Sequence, residues 1–378
     1  MIFLESFKVN QFRGIHELKL SGLGTINLIV GDNNSGKTSV LESIMLLRNP
    51  STFSNILNVV RLRDNGFFSP FRSSAFENFL YMFNPQSDEK SIEVEGIVKD
   101  MFVSTKICGT VENVMLDISE LQDRPWYRHV IQDTNVVYDE TEITEFQGVI
   151  SSKIGSKISN QEIRFNGYTR LTGIPVSEPK SIEFIYVSPT AHTNRSVFSG
   201  IVRDDHYKNI VLNVLRIFDA DIDDILYLRN EQTARPVECI RHKQLGIMPL
   251  TTYGDGIKKV LLLANSIARA SGGVLLVDEI ETAIHAKHYD SIFTFVINAC
   301  KQFNIQLFAT THSIEAVDGF LATQHYDDAE SNFTNNEDDA IRLITFRRNF
   351  KKNRTDSRIL SGKEVFEDRK NFGFEVRL

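Results

Sequence analysis

Eight residues near the N-terminus have the spacing of a phosphate-binding loop. They read Gly31-Asp32-Asn33-Asn34-Ser35-Gly36-Lys37-Thr38, between an apolar β-branched run (26–30) and an apolar helical segment (39–44). The two glycines allow backbone conformations that turn successive N–H groups toward one point, and a helix opening at Lys37 directs its positive dipole end there. Lys37 would then reach the outer phosphates of a nucleotide, and the Thr38 hydroxyl would bind Mg²⁺.

The alternative is an ordinary strand-to-helix turn that happens to contain two glycines and a lysine. The flanking strand and helix disfavour it, because they are the context in which this motif binds phosphate. The pattern therefore predicts a nucleotide site. Its nucleotide-binding residues are Gly31, Asn33, Asn34, Ser35, Gly36, Lys37, Thr38 and Ser39.

A second pattern places two carboxylates at the end of a buried strand. The run Val274-Leu275-Leu276-Val277 is followed directly by Asp278 and Glu279. Ligands of open α/β sheets bind at the carboxyl ends of the strands. Asp278 would hold Mg²⁺ and Glu279 would act as general base on the attacking water. An acidic helix N-terminus is the alternative, and the phosphate-binding loop upstream disfavours it.

Two further segments have polar or glycine residues at strand or helix ends. His312 follows the predicted strand 306–310 and could contact a γ-phosphate, although a lone histidine is often only a polar turn residue. Gly254, Asp255 and Gly256 open the predicted helix 257–269, where free N–H groups form another anion site.

The composition is that of an ordinary globular protein. The 378 residues are 42% hydrophobic and 24% charged, with a net charge of -7, which argues against a surface that coats nucleic acid. Cys108, Cys239 and Cys300 lie far apart and are expected to be reduced thiols. No apolar run reaches the roughly 18–20 residues of a membrane helix, and the N-terminus lacks the pattern of an export signal. We therefore expect a cytoplasmic protein.

Apolar periodicity predicts an α/β chain with a β-rich interruption. Residues 1–84 and 181–326 are predicted to form a nucleotide-binding core, 85–180 a β-rich insertion, and 327–378 a strand and helix tail. The β-rich stretch has no sustained heptads, so a long coiled-coil arm is not expected there. Strands are expected at 2–9, 15–20, 26–30, 91–118, 135–138, 161–171, 182–187, 225–229, 236–241, 274–277, 306–310 and 340–347. Helices are expected at 37–47, 207–218, 257–269, 286–302 and 362–370.

In combination, these motifs resemble the ATPase heads of the ABC class, and in particular OLD-like and RecF-like AAA family ATPases. The opening Phe7-Lys8-Val9-Asn10-Gln11-Phe12-Arg13-Gly14 is similar to the start of SMC, RecF and OLD-type heads, and Asp278-Glu279-Ile280-Glu281-Thr282-Ala283-Ile284-His285 resembles the OLD-like form of the second motif. The end of the chain, 360–364 and 372–377, is also similar to such chains. The resemblance covers most of 1–48 and 181–378.

The resemblance implies a P-loop NTPase head of the ABC/SMC type that binds ATP with Mg²⁺ and dimerises head-to-tail around it. Arg13 would lie near the nucleotide, and Glu279 would promote hydrolysis. Gly254, Asp255 and Gly256 would contact the γ-phosphate held by the partner subunit, and His312 matches the switch histidine of such heads. Tyr253 stands where ABC proteins usually have Ser, so Thr252 or the backbone would make that contact. No glutamine follows a strand where a Q-loop is expected.

A nuclease activity within this chain is not expected. OLD nucleases have a Toprim domain after the ATPase, and the residues after the ATPase motifs here are too few for us to expect one. The acidic pairs Asp327-Asp328 and Asp338-Asp339 are predicted to lie in a solvated loop. A nuclease, if one is involved, would be a separate polypeptide.

A basic cluster in the tail has two possible interpretations. It is either a solvated hairpin or a patch for nucleic acid or an acidic partner, and it comprises Arg342, Arg347, Arg348, Lys351, Lys352, Arg354 and Arg358.

For the function of the whole chain, the first hypothesis is an ATPase that regulates a separate effector, a nuclease or toxin, in bacterial antiphage defence. The second is a RecF-like clamp that closes on duplex DNA. A third, a transporter ATPase, is disfavoured by the N-terminal motif, the unusual signature and the large β-rich insertion.

The phosphate-binding loop yields a direct test. Lys37→Ala removes the cation predicted to reach the outer phosphates, so ATP binding should be abolished in a titration with a fluorescent ATP analogue. Undiminished ATP affinity would contradict the assignment of the loop.

Overall fold

A mostly parallel sheet forms the centre of the molecule. The computed structural model describes residues 2–32, 35–63, 74–117, 140–169, 182–193, 197–229, 235–324, 326, 339–349 and 354–372. The sheet has the order β15-β14-β3-β13-β12-β8, in which only β14 and β15 pair antiparallel. Its strands are β3 (Ile26–Val30), β8 (Phe184–Val187), β12 (Val274–Val277), β13 (Gln306–Thr311), β14 (Ile341–Asn349) and β15 (Arg354–Ser361).

The inner strands separate two hydrophobic cores. In β3, Leu28 and Val30 face one core and Ile29 faces the other. In β12, Leu275 faces the first core and Leu276 the second. Since successive side chains point to opposite faces and both faces are covered, these two strands are apolar at every position except the buried Asn27 of β3. This explains why the sequence shows continuous apolar runs here.

A second sheet contains the β-rich segment. It is antiparallel, with the order β2-β1-β4-β5-β6-β7. The strand β4 pairs directly with β1, so the segment predicted as an insertion continues a sheet that begins at the N-terminus. Its strands are β1 (Leu4–Phe12), β2 (Ile15–Ser21), β4 (Lys90–Val98), β5 (Met101–Asp117), β6 (Glu140–Ile154) and β7 (Lys157–Asn166). The strand expected at 135–138 lies outside the described residues.

A small third sheet has the order β11-β10-β9, with β9 (Ile222–Arg229), β10 (Pro236–His242) and β11 (Gly246–Pro249). The pair β9 and β10 was predicted from the sequence, whereas β11 was missed because four residues are too few to show a period.

The helices cover the parallel sheet and fill the connections between strands. The longest described helix has 15 residues. None of the described helices has the length and hydrophobicity needed to cross a membrane. The helices are α1 (Lys37–Met45), α2 (Phe53–Val60), α3 (Ala75–Leu80), α4 (Asp205–Leu215), α5 (Asp255–Arg269), α6 (Tyr289–Gln302), α7 (Ile314–Ala322) and α8 (Gly362–Phe372).

In the tail, one strand was missed and one prediction is wrong. The basic segment after β14 contains β15, which pairs antiparallel with β14 and buries Thr355. Asp339 was predicted to lie in a solvated loop, but it is 3% exposed. Its carboxylate accepts hydrogen bonds from the Tyr326 hydroxyl (2.7 Å) and from the amide of Lys363 (2.8 Å).

Gln306 joins the two large sheets. Its Oε1 accepts from the amides of Phe3 (3.0 Å) and Leu4 (2.7 Å), and its Nε2 donates to the carbonyls of Leu4 and Gly24, both at 3.0 Å. The side chain is fully buried. It lies at the first residue of β13, at the opposite end of that strand from Thr310 and His312, so it does not supply the missing Q-loop glutamine.

Removing this amide should destabilise the fold. Gln306→Leu removes four hydrogen bonds to buried backbone groups, of which the Gly24 carbonyl keeps a second donor, Asn27 Nδ2. We expect a loss of about 3 kcal/mol or more in the free energy of unfolding, measured by urea titration. The control Gln161→Leu, on an exposed position of β7, should change it by less than about 0.5 kcal/mol. Equal stabilities of the two variants would contradict this role of Gln306.

Candidate functional site

The phosphate-binding loop connects β3 to α1 in the predicted manner. Gly31 and Gly36 have φ angles of 148° and 98°, in the region that favours glycine. Gly36 is the N-cap residue of α1, so the first N–H groups of the helix face the loop. Asn33 and Asn34 lie outside the described residues.

Lys37 folds back over this loop. Its Nζ donates to the carbonyls of Gly31 (2.7 Å) and Asp32 (2.8 Å). Burial lowers the pKa of Lys37, and the nearby carboxylates of Asp278, Glu281 and Glu279 act in the opposite direction. The cation is therefore held at the mouth of the loop, where the phosphates of a nucleotide would replace the two carbonyls as its partners.

Asp278 lies at the end of β12 and collects three hydroxyl groups. Thr38 of α1 donates to Oδ2 at 2.9 Å, Thr310 of β13 to Oδ1 at 2.6 Å, and Tyr186 of β8 to Oδ2 at 3.3 Å. The side chain of Asp278 is 4% exposed. A buried carboxylate beside the Thr38 hydroxyl offers the oxygen ligands that Mg²⁺ prefers, so these residues fit the predicted metal.

Tyr186 is almost fully buried against this carboxylate. Burial raises the pKa of Tyr186 well above its usual range, and the charge of Asp278 acts in the same direction. The hydroxyl therefore stays protonated and donates to Asp278.

Glu279 is held in an unusual backbone conformation. Its φ is +47°, which is rare for a residue other than glycine and is found disproportionately at functional sites. Its amide donates to the Thr310 hydroxyl (2.8 Å), and its Oε2 accepts from the Thr282 hydroxyl (3.0 Å). Both contacts fix the carboxylate at the edge of the sheet beside Asp278.

His312 is bound by a second carboxylate, that of Glu281. One oxygen, Oε1, lies 3.0 Å from the backbone nitrogen of His312 and 3.1 Å from its Nδ1. Glu281 is 7% exposed, whereas the side chain of His312 is 49% exposed. The carboxylate thus fixes a proton on Nδ1 and orients the ring at the edge of the cavity.

These groups line a cavity of about 530 Å³. The predicted residues that it brings together are Ser35, Gly36, Lys37, Thr38, Ser39, Asp278, Glu279 and His312. The residues that were not predicted are Leu62, Arg63, Tyr186, Ser188 and Pro189.

Arg13 and Arg63 share a buried carboxylate beside the cavity. Glu42 of α1 has no exposed surface, and its oxygens lie 2.8 Å from Arg13 Nε and 2.6 Å from Arg63 Nε. Arg63 also donates to the Ser39 hydroxyl at 3.1 Å and lines the cavity. Arg13 is not one of the lining residues, so its contact with nucleotide stays a prediction and Arg63 is the arginine that the structure places there.

The glycine-rich signature lies away from this cavity. Gly254 caps the N-terminus of α5, and both Gly254 and Asp255 are exposed. Gly256 is partly covered by Ala283 and Phe218. None of the three lines the cavity, which is compatible with the predicted contact to a partner subunit's nucleotide.

The basic cluster is partly used within its own hairpin. Arg342 donates to the carbonyls of Asp339 (2.6 Å) and Ile341 (2.9 Å), and Arg354 pairs with Asp356 at 2.6 Å. Lys351 and Lys352 lie outside the described residues. The described arginines therefore do not form a uniformly available basic face.

Asp219, Asp221 and His242 form a second group of possible metal ligands, but hydrogen bonds within the protein occupy the histidine nitrogens. His242 Nε2 lies 3.2 Å from Asp219 Oδ2, and its Nδ1 accepts from the amides of Gln244 and Leu245. Since Nδ1 is an acceptor, Nε2 carries the proton, and neither nitrogen has a lone pair left for a metal. Asp221 completes the group and binds the Gln244 side-chain amide.

Comparisons with known proteins match part of the chain to a family model and the whole chain to a known fold. The family model described as "AAA domain, putative AbiEii toxin, Type IV TA system" matches residues 155–318, which include Asp278, Glu279 and His312. A crystal structure of an SMC head bound to the C-winged helix domain of ScpA covers 96% of this chain and 100% of that chain, with a TM-score of 0.50 and 12% identity. The chain has the fold of a P-loop NTPase head of the ABC and SMC type.

Two relatives extend the similarity. An ATP/GTP phosphatase of Helicobacter pylori is 23% identical over 329 residues, which are 83% of this chain and 86% of that protein. The DNA replication and repair protein RecF of Idiomarina loihiensis is 50% identical over 46 residues, or 12% of this chain and 13% of that protein. The predicted fold class is confirmed, while the narrower OLD-like assignment stays a prediction.

Proposed function

We propose that this head binds ATP with Mg²⁺ and hydrolyses it. The observation that carries the proposal is the single cavity shared by the phosphate-binding loop, Asp278 and Glu279. The similarity to an ATP/GTP phosphatase over most of both chains supports it.

Each residue then has a role that its contacts support. The N–H groups at the start of α1 and the Nζ of Lys37 hold the phosphates. Thr38 and Asp278 would hold Mg²⁺, which when bound neutralises charge on the phosphates. Glu279 accepts a proton from the attacking water on its carboxylate, whose Oε2 is already fixed by Thr282. His312 would contact the γ-phosphate with a ring that Glu281 orients.

The proposed active form is a head-to-tail dimer with two ATP molecules between the subunits. The exposed N-terminus of α5 supports it, because Gly254 and Asp255 are accessible to a second copy and, like Gly256, do not line the nucleotide cavity of their own subunit. In this arrangement, each subunit completes the site of its partner.

For the cellular role, we propose regulation of a separate effector, a nuclease or toxin, in bacterial antiphage defence. The support is the family model over residues 155–318, whose description, "AAA domain, putative AbiEii toxin, Type IV TA system", connects the matched region with such a system. Binding and hydrolysis of ATP would switch the dimer between closed and open states, and so retain or release the effector.

The similarity to RecF favours a second candidate, a clamp on duplex DNA. It requires a contiguous basic face and an affinity for DNA that falls steeply with salt. The arginines that already bind Asp356 and backbone carbonyls weaken this candidate.

Replacing the proposed general base separates binding from hydrolysis. Glu279→Gln keeps the size of the side chain but removes its basicity, so ATP binding should persist while single-turnover hydrolysis slows by ~10²-fold or more. Light scattering with ATP should then report a stable dimer.

The control Glu162→Gln changes an exposed carboxylate on β7 and should hydrolyse ATP at the wild-type rate. Full turnover by Glu279→Gln would contradict its role. If Glu281→Gln were then the inactive variant, the base would be Glu281.

A further inference from the structure

A lysine is buried beneath the second motif. Lys259 lies on the second turn of α5 and has no exposed surface. Its Nζ donates to the backbone carbonyl of Glu279 at 3.2 Å. Long charged side chains are rarely buried completely unless they are paired.

The charges around Lys259 belong to the site itself. Burial lowers the pKa of Lys259 to about 8, and the carboxylates of Glu281, Glu279 and Asp278 oppose that shift. The same burial makes the lysine an unfavourable choice for stability alone, because an apolar side chain of similar length would fill the space without desolvating a charge.

The hydrogen bond from Lys259 to the Glu279 carbonyl connects two elements with different roles in the proposed dimer: the helix α5, which begins at the signature, and the segment that contains the general base. The helix α5 begins at the signature, and Lys259 lies five residues after Gly254, about 7.5 Å along the helix axis. The Nζ at the end of the Lys259 side chain donates a hydrogen bond to the peptide group that follows Glu279, and Glu279 is the residue whose φ is +47°. A shift of α5 would therefore act on the backbone that aims the Glu279 carboxylate.

We propose that Lys259 is a positioning residue that links the signature helix to the general base of the same subunit. When the N-terminus of α5 docks on the nucleotide of the partner subunit, Lys259 transmits the displacement to the carbonyl of Glu279. The carboxylate then reaches its productive position only in the closed dimer. This inference rests on the proposed function, and it makes hydrolysis in each subunit depend on the nucleotide bound by the other.

The variant Lys259→Met tests the link, with Lys301→Met as the control. Lys301 is an exposed lysine at the end of α6 and is not part of the site. We expect Lys259→Met to keep the ATP dissociation constant within twofold of wild type and to form the ATP-dependent dimer in the Glu279→Gln background. Its kcat should fall at least 10-fold, while Lys301→Met should have the wild-type kcat.

A purely structural lysine would give a different result. Its loss would lower the melting temperature and weaken ATP binding and dimer formation together with kcat, and this outcome would overturn the proposal. A wild-type kcat in Lys259→Met would also overturn it. If Lys259→Met does not fold, Lys259→Gln takes its place. Its side chain is polar but uncharged and too short to reach the Glu279 carbonyl as the Nζ of Lys259 does, so the same loss of kcat with retained ATP binding is expected.

Measurements on the wild-type protein distinguish a failure of the proposed function from a failure of the role of Lys259. If it neither hydrolyses ATP nor dimerises with it, the proposed function fails. If it does both and Lys259→Met turns over at the same rate, only the role of Lys259 fails.

Discussion

The carboxylate of Asp278 is the point at which three separate elements of the chain meet. Hydroxyl groups from α1, β8 and β13 all donate to it, although they lie 240, 92 and 32 residues away in sequence. A buried carboxylate that accepts three hydrogen bonds fixes the ends of these elements with respect to each other. The parallel pairing of β3, β12 and β13 brings the phosphate-binding loop, the two motif carboxylates and His312 to one edge of the sheet, and the hydrogen bonds to Asp278 fix their positions there.

The other buried charges around the site follow the same principle. Glu42 is satisfied by two arginines, and Glu281 binds both the backbone and the ring of His312. Such groups are expensive to desolvate, and removing one partner leaves the other buried and uncompensated. We therefore interpret them as devices that set geometry, each placing one chemical group at the cavity, rather than as sources of stability.

A site residue could be predicted from the sequence where the pattern that identifies it is contiguous in the chain. The phosphate-binding loop and Asp278-Glu279 are contiguous in sequence, and the apolar strands before them mark their place at the sheet edge. Arg63, Tyr186 and Lys259 have no such local pattern, because each is defined by a partner 20 or more residues away. One clue was available: Glu42 lies within an apolar helical run, and a buried carboxylate needs a cation.

The proposed function requires that a metal ion and a nucleotide share the site at Asp278. Mn²⁺ replaces Mg²⁺ at oxygen ligands and is visible by electron paramagnetic resonance. With a non-hydrolysable ATP analogue, we expect one bound Mn²⁺ per chain whose spectrum shows couplings to phosphate ³¹P nuclei. We expect Asp278→Asn to lose this signal. Mn²⁺ that binds without phosphate coupling, or an unchanged signal in Asp278→Asn, would contradict it.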